Sequence, residues 1–358
     1  MEINEVDSKR IISLRFILMV GIFFIHANLT SNDAINYYHL DFQQPLWVEI
    51  IKNFLCGTWA CSSVPLFFLF ASFLQFSKDD NYHILLRKRF KSVLCPYLIW
   101  TILVILVYYV AQKIPQLSSF FSSNDKFIKK WNVFDYIRAL SYFDGSTSLK
   151  YPLVIQFWFL RELIIYIILS PLIKFLCTKF PGASLLCIFL AAFYNLNLYF
   201  TVSSSAFFYY VLGFYFAKFR ISFFDLADKI SIFEYLFVLL VYETCSLIIP
   251  NFIENTFLTT IISSLFLLKI SAYLIKNNSI FNVLKYLSSY SFFIYAIHSP
   301  FIEPFLNKIS WKFIPLKGAG CFLQFLFVVM GTILFSITIG IAFKKFFPKL
   351  FNLLNGGR

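Results

Sequence analysis

Apolar residues in this chain run in long blocks that recur from one end to the other. A helix needs about 20 mainly apolar residues to cross the hydrocarbon core of a bilayer. Ten windows meet that need: 11–30, 50–76, 93–112, 153–176, 181–201, 203–217, 232–249, 257–275, 286–306 and 320–343. The pattern therefore predicts an all-α, polytopic membrane bundle of about ten transmembrane helices. The count is weakest near residue 202, where a short sixth window almost abuts the fifth.

Composition supports the same class. Hydrophobic residues make up 59% of the 358 positions and charged residues 14%, with a mean hydropathy of +0.74. Soluble domains run near about 45–50% apolar and about 25% charged. No Gly/Ser linker, heptad or 20–50-residue repeat divides the chain, so one domain over 1–358 is expected, with no appended soluble domain. The 49 Phe and 21 Tyr spread over every segment and mark no cofactor box.

Net charge is +13, but no compact basic domain carries it, and nucleic acid is not an expected partner. Basic residues beside spans report orientation instead. Lys9 and Arg10 precede the first window, and Lys78, Arg87, Lys88, Arg89 and Lys91 fill the second connection. Later even-numbered connections hold Lys174 and Lys179, then Lys218, Arg220 and Lys229, then Lys276 and Lys285; the tail holds Lys344, Lys345 and Lys349. Odd-numbered connections such as 31–49 and 250–256 are poor in Lys and Arg. Both termini are thus expected in the cytoplasm. Two connections run against the rule: 113–152, with six basic residues, and 307–319, with three. The first is long, and long loops obey it weakly. At about 40 residues it exceeds an ordinary connection and is expected as a lid, a partner surface or a mobile loop.

Lys9, Arg10 and Arg15 before the apolar run 16–25 resemble a signal peptide. No small-residue cleavage site follows His26, so residues 11–30 are expected to remain as the first span. The seven cysteines are an odd number without a CxxC pair or Cys/His cluster, which argues against a disulfide framework and a zinc site. No metal site is expected.

Ionisable groups inside a span are costly and mark function by default. The first window holds two, Arg15 and His26. Eleven steps of about 100° return to within about 20° of the starting direction, with a rise of about 16 Å. Both side chains therefore leave one face of one helix, Arg15 near the cytoplasmic surface and His26 past the midplane. The alternative is that Arg15 snorkels to headgroups and His26 caps a backbone group. Spacing alone leaves both readings open.

The Arg-x10-His first span resembles that of the membrane-bound acyltransferase-3 family, which O-acylates bacterial cell-surface glycans. Further stretches agree in order. Val64-Pro65-Leu66-Phe67-Phe68 is similar to the family's Val-Pro-x-Phe-Phe, and Arg89…Pro96-Tyr97…Trp100 resembles its basic start to the third span. Phe157-Trp158-Phe159-Leu160 resembles its Trp-Phe-Leu segment, and Ser291…Tyr295-Ala296-Ile297-His298-Ser299-Pro300 its late Ser…Tyr-x-x-His-x-Pro. Two positions depart: Ser92 stands where a second Arg is usual, leaving Lys88 and Lys91 as substitutes, and Ala71-Ser72 replaces Ser-Gly.

The resemblance implies an O-acetyltransferase of the bacterial inner membrane with acetyl-CoA as donor. The implied acceptor is a sugar hydroxyl of a surface polysaccharide or lipid-linked glycan, the lipopolysaccharide O-antigen included. It implies Arg15, Lys88 and Arg89 at the donor phosphates, where Arg binds in bidentate fashion. His26 is the implied base or acyl carrier, with Arg15 on its face. Arg161, Glu162, Tyr295 and His298 are expected at the acceptor. Arg161 and Glu162 are adjacent, diverge by about 100° on a helix and are not expected to pair; an interhelical salt bridge is the structural alternative. Membrane lipid is the remaining expected partner. His39 and His83 read as surface residues, and Glu243 receives no role. A transporter or flippase, or a glycan polymerase, is the competing class. The first is disfavoured because no paired repeat with broken helices is present.

Overall fold

The computed structural model describes residues 4–78, 81–121, 128–141, 152–196, 198, 203–249 and 256–357. Among them every regular element is helical, and the sole bridge outside helices pairs Gln43 with Lys317. In chain order the first elements are α1 (Glu5–Ala27), α2 (Leu46–Asn53), α3 (Ser63–Phe76), α4 (Tyr82–Arg89) and α5 (Cys95–Ala111). Then come α6 (Pro115–Phe121), α7 (Val133–Ser141), α8 (Trp158–Ile168), α9 (Ser170–Lys179), α10 (Pro181–Phe193), α11 (Ser204–Phe219) and α12 (Phe223–Asp228). The last are α13 (Ile232–Ile248), α14 (Thr256–Leu274), α15 (Asn278–Ser288), α16 (Ser291–Ile297), α17 (Glu303–Phe313), α18 (Ala319–Phe346) and α19 (Pro348–Leu354).

Among the described residues, five helical stretches are long and apolar enough to cross a bilayer: Glu5–Ala27, Leu46–Phe76, Tyr82–Ala111, Thr256–Leu274 and Ala319–Phe346. Two of these join shorter helices through π-helical turns, at Phe54–Trp59 and Phe90–Leu94. Two bent pairs bring the number to seven: α9 with α10, bent by 117°, and α15 with Ser291–Phe313, bent by 50°. The chain is a membrane protein.

The remaining windows are divided or short for physical reasons. Window 153–176 breaks where α8 gives way to α9 beside Pro171, which lacks an N–H. Pro181 likewise starts a new helix after Phe180. The 16 residues of α11 and the 17 of α13 rise only about 24–26 Å, against a core of about 30 Å. The boundary at residue 202, most of the connection 250–256, and positions 122–127 and 142–151 of the long connection lie outside the described residues. The described parts of that connection fold as α6, α7 and a short 3-10 turn.

The chain forms two compact units, 1–79 with 171–339 and 80–170 with 340–358. In the first, α11 packs closely on α3 because Gly213 presents no side chain: a Cβ there would lie 2.5 Å from the Leu69 carbonyl oxygen. Gly21 does the same for α1, where a Cβ would meet Ser63 Oγ at 2.2 Å. Beyond the C-terminal end of α1 the chain folds back on the segment before α18. Gln43 N–H donates to the Leu316 carbonyl (2.9 Å) and Gly318 N–H to that of Gln43 (3.1 Å). Lys317 pairs with Asp41 at 2.7 Å and holds its carboxyl below the usual carboxylate range. Beneath this cap Lys52 is buried and donates to the Leu29 carbonyl (2.7 Å) and Gln44 Oε1 (2.8 Å).

In the second unit, Tyr82 Oη donates to the Ile168 carbonyl at 2.9 Å and ties α4 to α8. Trp100 Nε1 donates to the Leu354 carbonyl at 3.0 Å and ties α5 to α19. Gly356 takes φ +68° against α5, where a Cβ would lie 2.6 Å from the Ser92 carbonyl oxygen.

Candidate active site

The apolar run of α1 starts at a defined cap, Asn4, whose side chain accepts from Asp7 N–H at 2.6 Å. The helix carries two arginines of opposite fates. Arg10 is buried and fully engaged: bidentate to Asp228 at 2.6 and 3.0 Å, donating to Ser271 Oγ (2.8 Å) and the Leu268 carbonyl (2.7 Å), and 4.2 Å over the Phe224 ring. Arg15 has an exposed side chain and, among the described residues, makes no hydrogen bond or ion pair.

Eleven positions on, His26 meets His298 edge to face, with ring centroids 5.2 Å apart. His298 is fully buried and also packs against Phe23 (5.0 Å) and Tyr295 (6.0 Å). Its Nδ1 lies 2.7 Å from the Tyr295 carbonyl oxygen, so Nδ1 carries the proton and Nε2 is left with its lone pair. Nε2 is buried with no hydrogen-bond partner, and so is Oε2 of Glu303. A buried acceptor left bare costs about 1–3 kcal/mol and calls for an explanation.

One ligating atom from each of His26, His298 and Glu303 lies within 4.8 Å of the others. Local backbone geometry makes this possible. In an α-helix, residues five apart point about 140° away from each other. The stretch His298–Ile302 is instead a π-helical turn, whose i→i+5 repeat brings both side chains toward one side. The motif reading found His26 and His298, and the structure brings them together; Tyr295 acts through its carbonyl and its ring. Glu303 escaped that reading. The available signal was a lone carboxyl inside the window 286–306, three residues after Pro300.

The other expected residues belong to the second unit. Arg161 and Glu162 correct the expectation that they do not pair: Arg161 Nη2 bonds Glu162 Oε1 at 2.8 Å. Their Cβ directions diverge, but the long Arg side chain curls back over its neighbour. Tyr166 Oη, one turn on, donates to Glu162 Oε2 at 3.1 Å, so both oxygens of this fully buried carboxylate are engaged. Lys88 is exposed and Arg89 half-buried in the last turn of α4. Tyr97 packs on Phe157 at 5.6 Å, and its hydroxyl donates to the Leu140 carbonyl.

An all-helical membrane bundle with a cation on its first helix and two imidazoles converging on a carboxyl defines a class: polytopic membrane proteins with a polar cluster buried among their helices. The chain belongs to the acyltransferase-3 family, whose acyltransferase domain matches residues 9–341. It is an acyltransferase. It is also similar to the succinoglycan biosynthesis protein ExoH of Rhizobium meliloti (strain 1021), at 28% identity over 190 residues. That match covers 51% of this chain and 46% of the relative, about half the length of each. No solved structure matches the chain.

Proposed function

We propose that this acyltransferase O-acetylates a sugar hydroxyl of a cell-surface polysaccharide or lipid-linked glycan, using cytosolic acetyl-CoA, as a single domain of about ten spans. In this reading it sits in the bacterial inner membrane with both termini cytoplasmic. The family membership and the succinoglycan-biosynthesis relative support the reaction and the acceptor class. The observation that carries the reading is the pairing on α1 of a cation without a partner and a histidine about 16 Å further along the helix.

Arg15 holds donor phosphates, assisted by Lys88 and Arg89. Arg161, Glu162, Tyr295 and His298 serve the acceptor, His298 by facing His26. His26 takes the proton from the acceptor hydroxyl as that oxygen attacks the thioester carbonyl. The C–O bond forms, the C–S bond breaks, and the thiolate leaves and recovers the proton. An acyl group carried transiently on the ring would use the same lone pair.

The test is chemical analysis of surface glycan from cells carrying His26→Ala or Arg15→Ala. Loss of O-acetyl groups with normal glycan amount and chain length is expected, and it removes the flippase and polymerase readings. Retention of O-acetyl groups in both variants would overturn the proposal.

A further inference from the structure

The His26–His298–Glu303 cluster brings ring nitrogens and a carboxyl together with no cationic partner among the described residues. Glu303 makes no ion pair among the described residues, and the charged groups that bear on Tyr38 beside it are acidic, Glu303 and Asp33. His298 Nε2 and Glu303 Oε2 are buried and bare. The three ligating atoms already lie within 4.8 Å of one another.

Two details select among possible occupants. The Nδ1–H of His298 is held by the Tyr295 carbonyl at 2.7 Å, which is the outer contact that fixes a metal-binding imidazole with Nε2 turned inward. Two imidazoles and one carboxylate are also a known zinc donor set that leaves a fourth position open. A divalent ion would displace any proton from the Glu303 carboxyl, neutralise the carboxylate and engage all three ligand atoms at once, which a single hydroxyl cannot do.

We propose that His26, His298 and Glu303 form a binding site for a divalent transition-metal ion of the zinc class. The bound ion occupies the His26 lone pair and thereby holds the acyltransferase off reversibly. Metal–nitrogen and metal–oxygen bonds of about 2.0–2.2 Å bring ligand atoms to about 3.3 Å. The closure from 4.8 Å is a side-chain movement of about 1.5 Å, within reach of rotations about the Glu303 and His26 side-chain bonds. The sequence offered no metal spacing because the ligands come from α1 and from a turn more than 270 residues later.

The site itself stands on geometry, while its inhibitory role rests on His26 being the reacting group; the experiment separates them. Full-length protein in detergent is stripped with a chelator and titrated with Co2+, then with Zn2+. One Co2+ per chain with a visible d–d band, no thiolate charge-transfer band, and displacement by Zn2+ is expected. Glu303→Gln and His298→Ala should each weaken the affinity at least about 100-fold. The double variant His39→Asn, His83→Asn, which removes the chain's other two histidines, should bind as the wild type does.

Added Zn2+ should suppress acyl transfer, and chelation should restore it. A monodisperse wild-type protein with no Co2+ band overturns the site, as does a band that survives in monodisperse Glu303→Gln and His298→Ala or that carries thiolate character. Co2+ binding with acyl transfer insensitive to Zn2+ overturns the inhibitory role. Co2+ binding in a protein that transfers no acyl group under any condition counts against the acyltransfer reading and leaves the site standing.

Discussion

Arg10 and Arg15 lie five residues apart on α1, and both look like basic residues at the start of an apolar run. Arg10 carries four hydrogen bonds and an aromatic face, so Arg10→Ala leaves Asp228 without its guanidinium and should destabilise the fold by about 3 kcal/mol. Arg15 carries none among the described residues, so Arg15→Ala should leave thermal unfolding in detergent nearly unchanged while raising KM for the acyl donor. The two measurements together distinguish a structural cation from a binding one. A large loss of stability in Arg15→Ala would contradict its assignment as the free cation. Arg161 and Glu162 make the converse point. The 100° rule places their Cβ atoms correctly, yet side-chain length decides whether they touch, and they do.

At the level of elements, the windows were legible wherever one uninterrupted helix crosses: α1, α14 and α18 coincide closely with windows 11–30, 257–275 and 320–343. Pro171 broke the window 153–176, a signal present in the sequence but outweighed by hydropathy when windows are drawn. Close helix packing was less visible. Gly213 sits in an apolar run like many glycines, and only the approach of the Leu69 carbonyl and Ser72 shows why a side chain is not tolerated. Gly213→Ala places a methyl 2.5 Å from backbone that cannot swing aside. It should destabilise the α3–α11 pair by about 1–3 kcal/mol, read as a lower unfolding temperature in detergent. Gly57, where a Cβ meets nothing within 4 Å, serves as the control. The π-turn at His298–Ile302 belongs to this scale too, since it aims Glu303 at the histidines without any change in composition.

For the molecule as a whole, the charge distribution among connections makes a prediction that hydropathy cannot make alone. If both termini face the cytoplasm, a fluorescent protein fused after Arg358 should mature and glow, and alkaline phosphatase fused there should stay inactive. The opposite result would require either an odd number of crossings or, with an even number, an inverted orientation for Arg15 and His26. Membrane residence followed directly from the chain, because burying that much apolar surface in one molecule needs a lipid solvent, and runs of about 20 residues fit its thickness.

The Arg15–His26 face followed as well, since helical periodicity is a local property that needs no partner. What only the tertiary structure decided is which polar groups are already satisfied and which converge. Arg10 finds Asp228 and Ser271, while Glu303 and His298 find His26 across hundreds of residues. Convergence depends on packing and on one π-helical turn, and neither leaves a periodic trace in the sequence.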